Sequence, residues 1–166
     1  LVNASVSVEP PMFVDVVNVT SAADMSEVVK SKAAEQDIII MTAAVADFRP
    51  SHPADEKIKK KDSLDESVIE LERTEDILSY LGAHKAKGQL ICGFSMETQN
   101  MLENSKAKLA KKNADMIVAN NLKVAGAGFG TDTNVVTLIT ADDCTELEIM
   151  DKSCVAARIM DRLLKM

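Results

Sequence analysis

The stretch DIIIMTAAVADFRP, residues 37–50, decides the fold. Its first part, DIIIM (37–41), is a continuous apolar run dominated by β-branched residues, the pattern of a strand covered on both faces. The small residues Ala43, Ala44 and Ala46 follow, then Asp47, Phe48, Arg49 and Pro50. A buried strand that empties into small residues presents its backbone N–H and C=O groups to whatever lies beyond its end. Upstream, the Val-rich residues 13–19 read as a strand, Thr20-Ser21 as an N-cap, and 22–36 as a helix with Met25, Val28, Val29 and Ala33 on its apolar side. Downstream, 57–61 and 67–72 read as short strands. Thr74 caps a helix over 75–86, whose first-turn acids suit the helix dipole. Residues 89–92 form a short buried strand ending at Gly93, a helix runs from 97 or 98 to 112 and stops at Asn113, and 115–119 is another buried strand. A loop with Gly126, Gly128 and Gly130 spans 120–131, and 135–140 with 146–150 form a hairpin. The closing helix, 153–165, puts Val155, Ile159, Leu163 and Leu164 on its apolar side.

Strand–helix alternation with strands buried on both faces implies an α/β fold: a Rossmann-like three-layer sheet with flanking helices, carrying a protruding β segment around 57–72. Ligands in such sheets bind beyond the carboxyl ends of the strands. Such a domain ordinarily opens with a strand, a Gly-rich turn and a helix, and nothing before Phe13 supplies them. Residues 1–8 read as the tail of a second strand, so the expectation is a single domain, 1–166, that is incomplete at its N-terminus.

The chain has 166 residues, 46% hydrophobic and 27% charged, enough for one packed core. With 19 basic and 26 acidic residues the formal net charge is -7, and aromatics are 3% with no Trp. A globally basic nucleic-acid binder and a base-stacking platform are both disfavoured. The three cysteines, 92, 144 and 154, have no metal-ligand spacing and suggest reduced thiols in a cytoplasmic protein. The run 38–46 includes Thr42 and is too short to cross a membrane.

On a strand, Lys57, Lys59 and Lys61 share one side, which suits either a polyphosphate clamp or an exposed edge protected by charge. Cys92 has no evident His partner and reads as a core thiol, and His52 and His84 read as surface residues. The glycines at 126, 128 and 130 lead to a strand rather than a helix, so they fail the dinucleotide test. They suit a lid, with Phe129 over a ligand.

Five motifs in order, AAVADFRP (43–50), KIKK (57–60), GFSMET (93–98), KKNADMIVANN (111–121) and GFGTDTNVVTLI (128–139), resemble the bacterial phosphopantothenate–cysteine ligases, also called phosphopantothenoylcysteine synthetases. The resemblance implies CTP-dependent ligation of L-cysteine to 4′-phosphopantothenate with Mg²⁺. The carboxylate attacks the α-phosphorus of CTP, pyrophosphate leaves, and the amine then displaces CMP from the acyl-cytidylate. It implies a catalytic, triphosphate-binding Lys57. It implies nucleotide contacts at Ala43, Ala44, Asp47, Glu75, Asp76, Ile77, Leu78, Phe94, Lys108 and Lys112, and no protein metal site. It further implies a homodimer, often fused to a flavin-dependent decarboxylase.

Physical chemistry supplies a competing reading for several of these residues. Glu75 and Asp76 complement a helix dipole without touching a ligand, and Phe94 just past a strand is as readily core. Lys108 and Lys112 share a helix face in the last turns, roughly 15 Å from the helix start, where the strand-end rule would not put the nucleotide. Two other functions compete with ligation: an NAD(P)-binding oxidoreductase-like or regulatory domain, and a non-catalytic interaction module.

Overall fold

The computed structural model describes every residue except Ser5, Ser7, Asp55, 58–67, Thr98, Gln99, 122–127 and Phe129. The expected lysine strand 57–61 and the Phe129 lid therefore fall largely outside the described residues.

Strands β1 (Val2–Ala4) and β2 (Val17–Val19) form a two-stranded parallel pair, and helix α1 (Ala22–Ala33) leads from them to β3 (Ile38–Met41). Ser21 and Asp24 close a reciprocal capping box at the start of α1. The ribbon β4 (Phe48–Pro50) with β5 (Leu71–Arg73) protrudes, followed by α2 (Ile77–His84). Next come β6 (Leu90–Glu97), α3 (Met101–Lys112) and β7 (Met116–Asn121). The chain closes with β8 (Thr133–Asn134), β9 (Val136–Ile139), β10 (Cys144–Glu146), β11 (Met150–Asp151) and α4 (Lys152–Leu163). The central sheet has the order β10-β9-β7-β6-β3, with β3, β6 and β7 parallel and β9 and β10 antiparallel.

Strand alternation divides the core into two layers. Ile91 and Ile117 face Met25, Val29, Ile77, Leu81 and Leu109 of α1, α2 and α3. Cys92, Met116 and Val118 face Val155, Ile159 and Leu163 of α4. The three-layer α/β architecture is therefore as expected, with five corrections. The strand paired with β9 in the terminal hairpin is 144–146 rather than 146–150, since Met150 and Asp151 pair with β8 instead. The strand expected over 13–19 begins only at Val17, because Phe13 sits at φ 64 and is exposed, a backbone that cannot continue a ladder. The cap of α2 is Asp76, not Thr74, because the Asp76 carboxylate accepts from the Ser79 N–H at 2.9 Å. Strand β6 does not end at Gly93 but runs through it to Glu97. Leu164 is exposed, since α4 ends at Leu163.

Helices α2 and α3 approach closely at Gly82, where an added Cβ would stand 1.8 Å from the Lys112 carbonyl oxygen. Asn113 holds the same spot by donating to the Gly82 carbonyl at 2.7 Å. Gly82→Ala is expected to lower the unfolding free energy by about 2 kcal/mol or more, read as a fall in the urea midpoint.

Candidate functional site

The site follows from a difference in strand length. The last β3–β6 pairing is Met41 with Gly93, yet β6 continues beside β7 as far as the Glu97–Asn121 pairing. Beyond Met41 the chain leaves the sheet as the small-residue loop, which uncovers one edge of β6. A cleft of about 190 Å³ occupies that gap. Its floor includes Met41, Ala43, Asp47 and Phe94, one wall is the turn Thr74–Leu78, and the other is Lys108 and Lys112 of α3.

Each wall is fastened by named bonds. Thr74 donates its hydroxyl to the Ala46 carbonyl, and its N–H donates to the Asp47 carbonyl at 2.9 Å, so the loop after β3 is latched to the turn before α2. Leu78 packs on Gly93, where an added Cβ would lie 2.6 Å from Leu78 Cδ2. Lys108 Nζ donates to the Phe94 carbonyl at 2.8 Å. Lys112 pairs with the Asp76 carboxylate. Partial burial pushes Asp76 up, but hydrogen bonds from Lys112 and the Ser79 N–H outweigh it and hold the carboxyl below its ordinary 3.8. Glu75 points the other way, accepting from Ser26 Oγ at 2.6 Å and pairing with Lys30 of α1. The Lys30 hydrogen bond, then Ser26, hold Glu75 below its ordinary 4.5.

Nine of the residues singled out in the sequence thus line one cleft: Ala43, Asp47 and Phe94, the run Glu75, Asp76, Ile77 and Leu78, and the pair Lys108 and Lys112. Ala44 and Lys57 are exposed and do not line it. The expected separation of Lys108 and Lys112 from the strand-end site does not arise. Because β6 overshoots β3, α3 returns alongside it with its C-terminal half beside the end of β3. The Phe94 side chain packs with the Cys92 and Val118 layer on the α4 side, so Phe94 offers the cleft its carbonyl edge. Ile77 is core and Leu78 packs against it. Ser26, Lys30 and the Thr74 latch escaped sequence reading because their partners lie 28 to 49 positions away, with no spacing signal.

Cys92 is a core thiol. Burial and then the Asp115 carboxylate push it up to about 12, and a group so weakly ionised is no nucleophile. Asp115 itself is structural, accepting from the Ile91 N–H and Lys85 Nζ, both at 2.8 Å. Among the described residues no three His, Cys, Asp or Glu side chains gather to hold a metal ion, and no helix is long and apolar enough to cross a membrane.

The sequence matches the DNA/pantothenate metabolism flavoprotein C-terminal domain over residues 1–166. The chain belongs to this family. It is 46% identical over 165 residues to the coenzyme A biosynthesis bifunctional protein CoaBC of Bacillus subtilis, covering 98% of this chain and 40% of that protein. A relative from an unknown prokaryotic organism, named cysteine/cysteine sulfinic acid decarboxylase, is 45% identical over 91% of this chain and 42% of its own length. The chain thus spans about two fifths of these relatives. Among solved structures, the C-terminal domain of coenzyme A biosynthesis bifunctional protein CoaBC superposes with TM-score 0.80 at 42% identity, covering 99% of this chain and 74% of that one. A Cab2 mutant solved in complex with phosphopantothenate-cysteine shares the fold, at TM-score 0.64 and 18% identity over 90% of this chain and 53% of its own.

Two outcomes follow from the site's chemistry. Alkylation at neutral pH should label the exposed Cys144 and Cys154 and spare Cys92, counted as two adducts by mass spectrometry. Because the folded pKa of Asp76 is lowered, its stabilising contribution is complete above the ordinary 3.8 and is lost as pH falls through the lowered value. Asp76→Asn keeps a capping side chain but removes the charge. It should cost at most about 1 kcal/mol at neutral pH and flatten the acid limb of urea midpoints taken from about pH 2 to about pH 6.

Proposed function

We propose that this chain carries the ligase chemistry of coenzyme A biosynthesis: CTP-dependent joining of L-cysteine to 4′-phosphopantothenate through an acyl-cytidylate, giving phosphopantothenoylcysteine, CMP and pyrophosphate. The observation that carries the reading is the cleft at the end of β3, where the loop backbone, Asp47 and two lysines converge. A nucleotide base and ribose fit against the flat Ala43 backbone. The anionic tail fits Lys108 and Lys112, whose carbonyl and carboxylate partners a phosphate would replace. Lys57 is assigned to the triphosphate in the attack step, where an ammonium stabilises charge moving onto phosphoryl oxygens. Mg²⁺ is assigned to the nucleotide as the counter-ion its phosphates bring.

Two partner assignments belong to the same proposal. The β4–β5 ribbon and the residues just before β5 expose Phe48, Val68, Ile69 and Leu71, an apolar edge suited to a second copy in a homodimer. Between the β1–β2 pair and the free edge of β3 lies a cleft of about 400 Å³ lined by Val2, Val17 and Ile38–Met41. It suits one further parallel strand beside β3.

The test is pyrophosphate release from CTP in the presence of 4′-phosphopantothenate. Lys57→Gln should lower that rate by about 100-fold or more while leaving the thermal midpoint unchanged. Normal release in the variant rejects the role of Lys57. Stabilisation by NADPH but not by CTP at equal concentration rejects the ligase reading in favour of a dinucleotide-binding domain.

A further inference from the structure

A second cavity, of about 500 Å³, adjoins the nucleotide cleft and shares Thr74 and Glu75 with it. Helix α1 forms one side with Glu27 and Lys30, and the β4–β5 ribbon forms the other with Arg49 and Arg73. Arg49 lies within the AAVADFRP motif, but none of these four residues is among the nucleotide contacts that the resemblance implies. Their charges are unevenly committed. Lys30 is paired with Glu75, and Arg49 with Glu72 at 2.7 Å. Arg73 lies over the Phe48 ring at 5.3 Å. Among the described residues neither Arg73 nor Glu27 takes part in an ion pair. The cavity therefore offers one uncommitted cation and one uncommitted anion from opposite walls. A cation and an anion outside any ion pair, on opposite walls, are what the two ends of a zwitterion require.

We propose that this cavity receives the amino-acid substrate, an assignment that rests on the ligase reading above. The α-carboxylate of cysteine lies on the Arg73 guanidinium, and its ammonium lies between Glu27 and Glu75. Glu75 is common to both cavities, so the amine end is the end directed at the nucleotide cleft. Once the ammonium has given a proton to water, the amine nitrogen forms a bond to the acyl carbon of the acyl-cytidylate. The bond from that carbon to the CMP phosphate oxygen breaks, CMP leaves with the electron pair, and the remaining surplus proton passes to water. Lys30 and Ser26 act as positioning residues, holding Glu75 at the shared wall.

The experiment measures amide formation by the full chain with CTP and 4′-phosphopantothenate saturating, varying L-cysteine or cysteamine, which lacks the carboxylate. Arg73→Gln and Glu27→Gln, taken from different walls, should each raise the KM for L-cysteine by about tenfold or more, with the KM for CTP moved less than about twofold. Arg73→Gln should leave the KM for cysteamine at the wild-type value. Unchanged L-cysteine KM in both variants, or equal losses for cysteamine and L-cysteine in Arg73→Gln, overturns the site. Should the wild type release no pyrophosphate from CTP, the ligase reading fails separately. Calorimetric titration of L-cysteine then judges the cavity: binding weakened by Arg73→Gln supports an amino-acid site, and no binding overturns it.

Discussion

The pairing of Met41 with Gly93 is the constraint on which the rest depends. It fixes where β3 must stop relative to β6, and a strand that stops early beside a longer parallel neighbour leaves backbone groups that no ladder satisfies. At Phe94 the carbonyl is met by Lys108 rather than by a strand. Gly93 suits this arrangement, because an added Cβ would lie 2.6 Å from Leu78 Cδ2 and the Leu78 side chain would have to move. One register choice thus places a loop, a helix start and two lysines around the same gap.

Electrostatics are compatible with the anion site proposed for this acidic chain. The net charge of -7 is a property of the whole surface, whereas binding is decided by which charges are already matched locally. In the cleft the two lysine ammonium groups rest on a neutral carbonyl and on a carboxylate that also caps a helix. Such partners keep the cations in place and only partly desolvated. A phosphate that takes Lys112 from Asp76 costs the protein no cap, since the Ser79 N–H still holds the other carboxylate oxygen. The exchange trades one ion pair for another rather than breaking a buried one, which keeps binding reversible.

What was legible in the sequence was whatever depended on local pattern. The isoleucine run of β3, the Asn113 stop of α3 at φ 48, and the apolar side of α4 up to Leu163 all follow from periodicity or backbone preference. Element ends were less legible, because they are set by partners. Thr74 looks like a cap until its hydroxyl is claimed by the Ala46 carbonyl, and Gly93 looks like a strand end until β7 is seen pairing past it. Within the site, motif resemblance picked out residues whose spacing alone argued against them. Lys108 and Lys112 lie far from the start of α3, and only the overshoot of β6 brings them to the end of β3.

The turn Thr74–Leu78 ties four parts of the fold together. Thr74 holds the loop after β3, Glu75 reaches back to α1, Asp76 caps α2 and meets α3, and Ile77 and Leu78 enter the core. Five consecutive side chains with four destinations cannot shift one at a time. Moving the turn means breaking the latch, the cap and the Leu78–Gly93 contact together. A wall of that kind separates two adjoining cavities without needing bulk of its own. Two substrates bound on either side would meet across a barrier only one residue thick, with their charged ends held by different elements. Proximity of that sort, set by the fold rather than by the ligands, is what a two-substrate condensation requires.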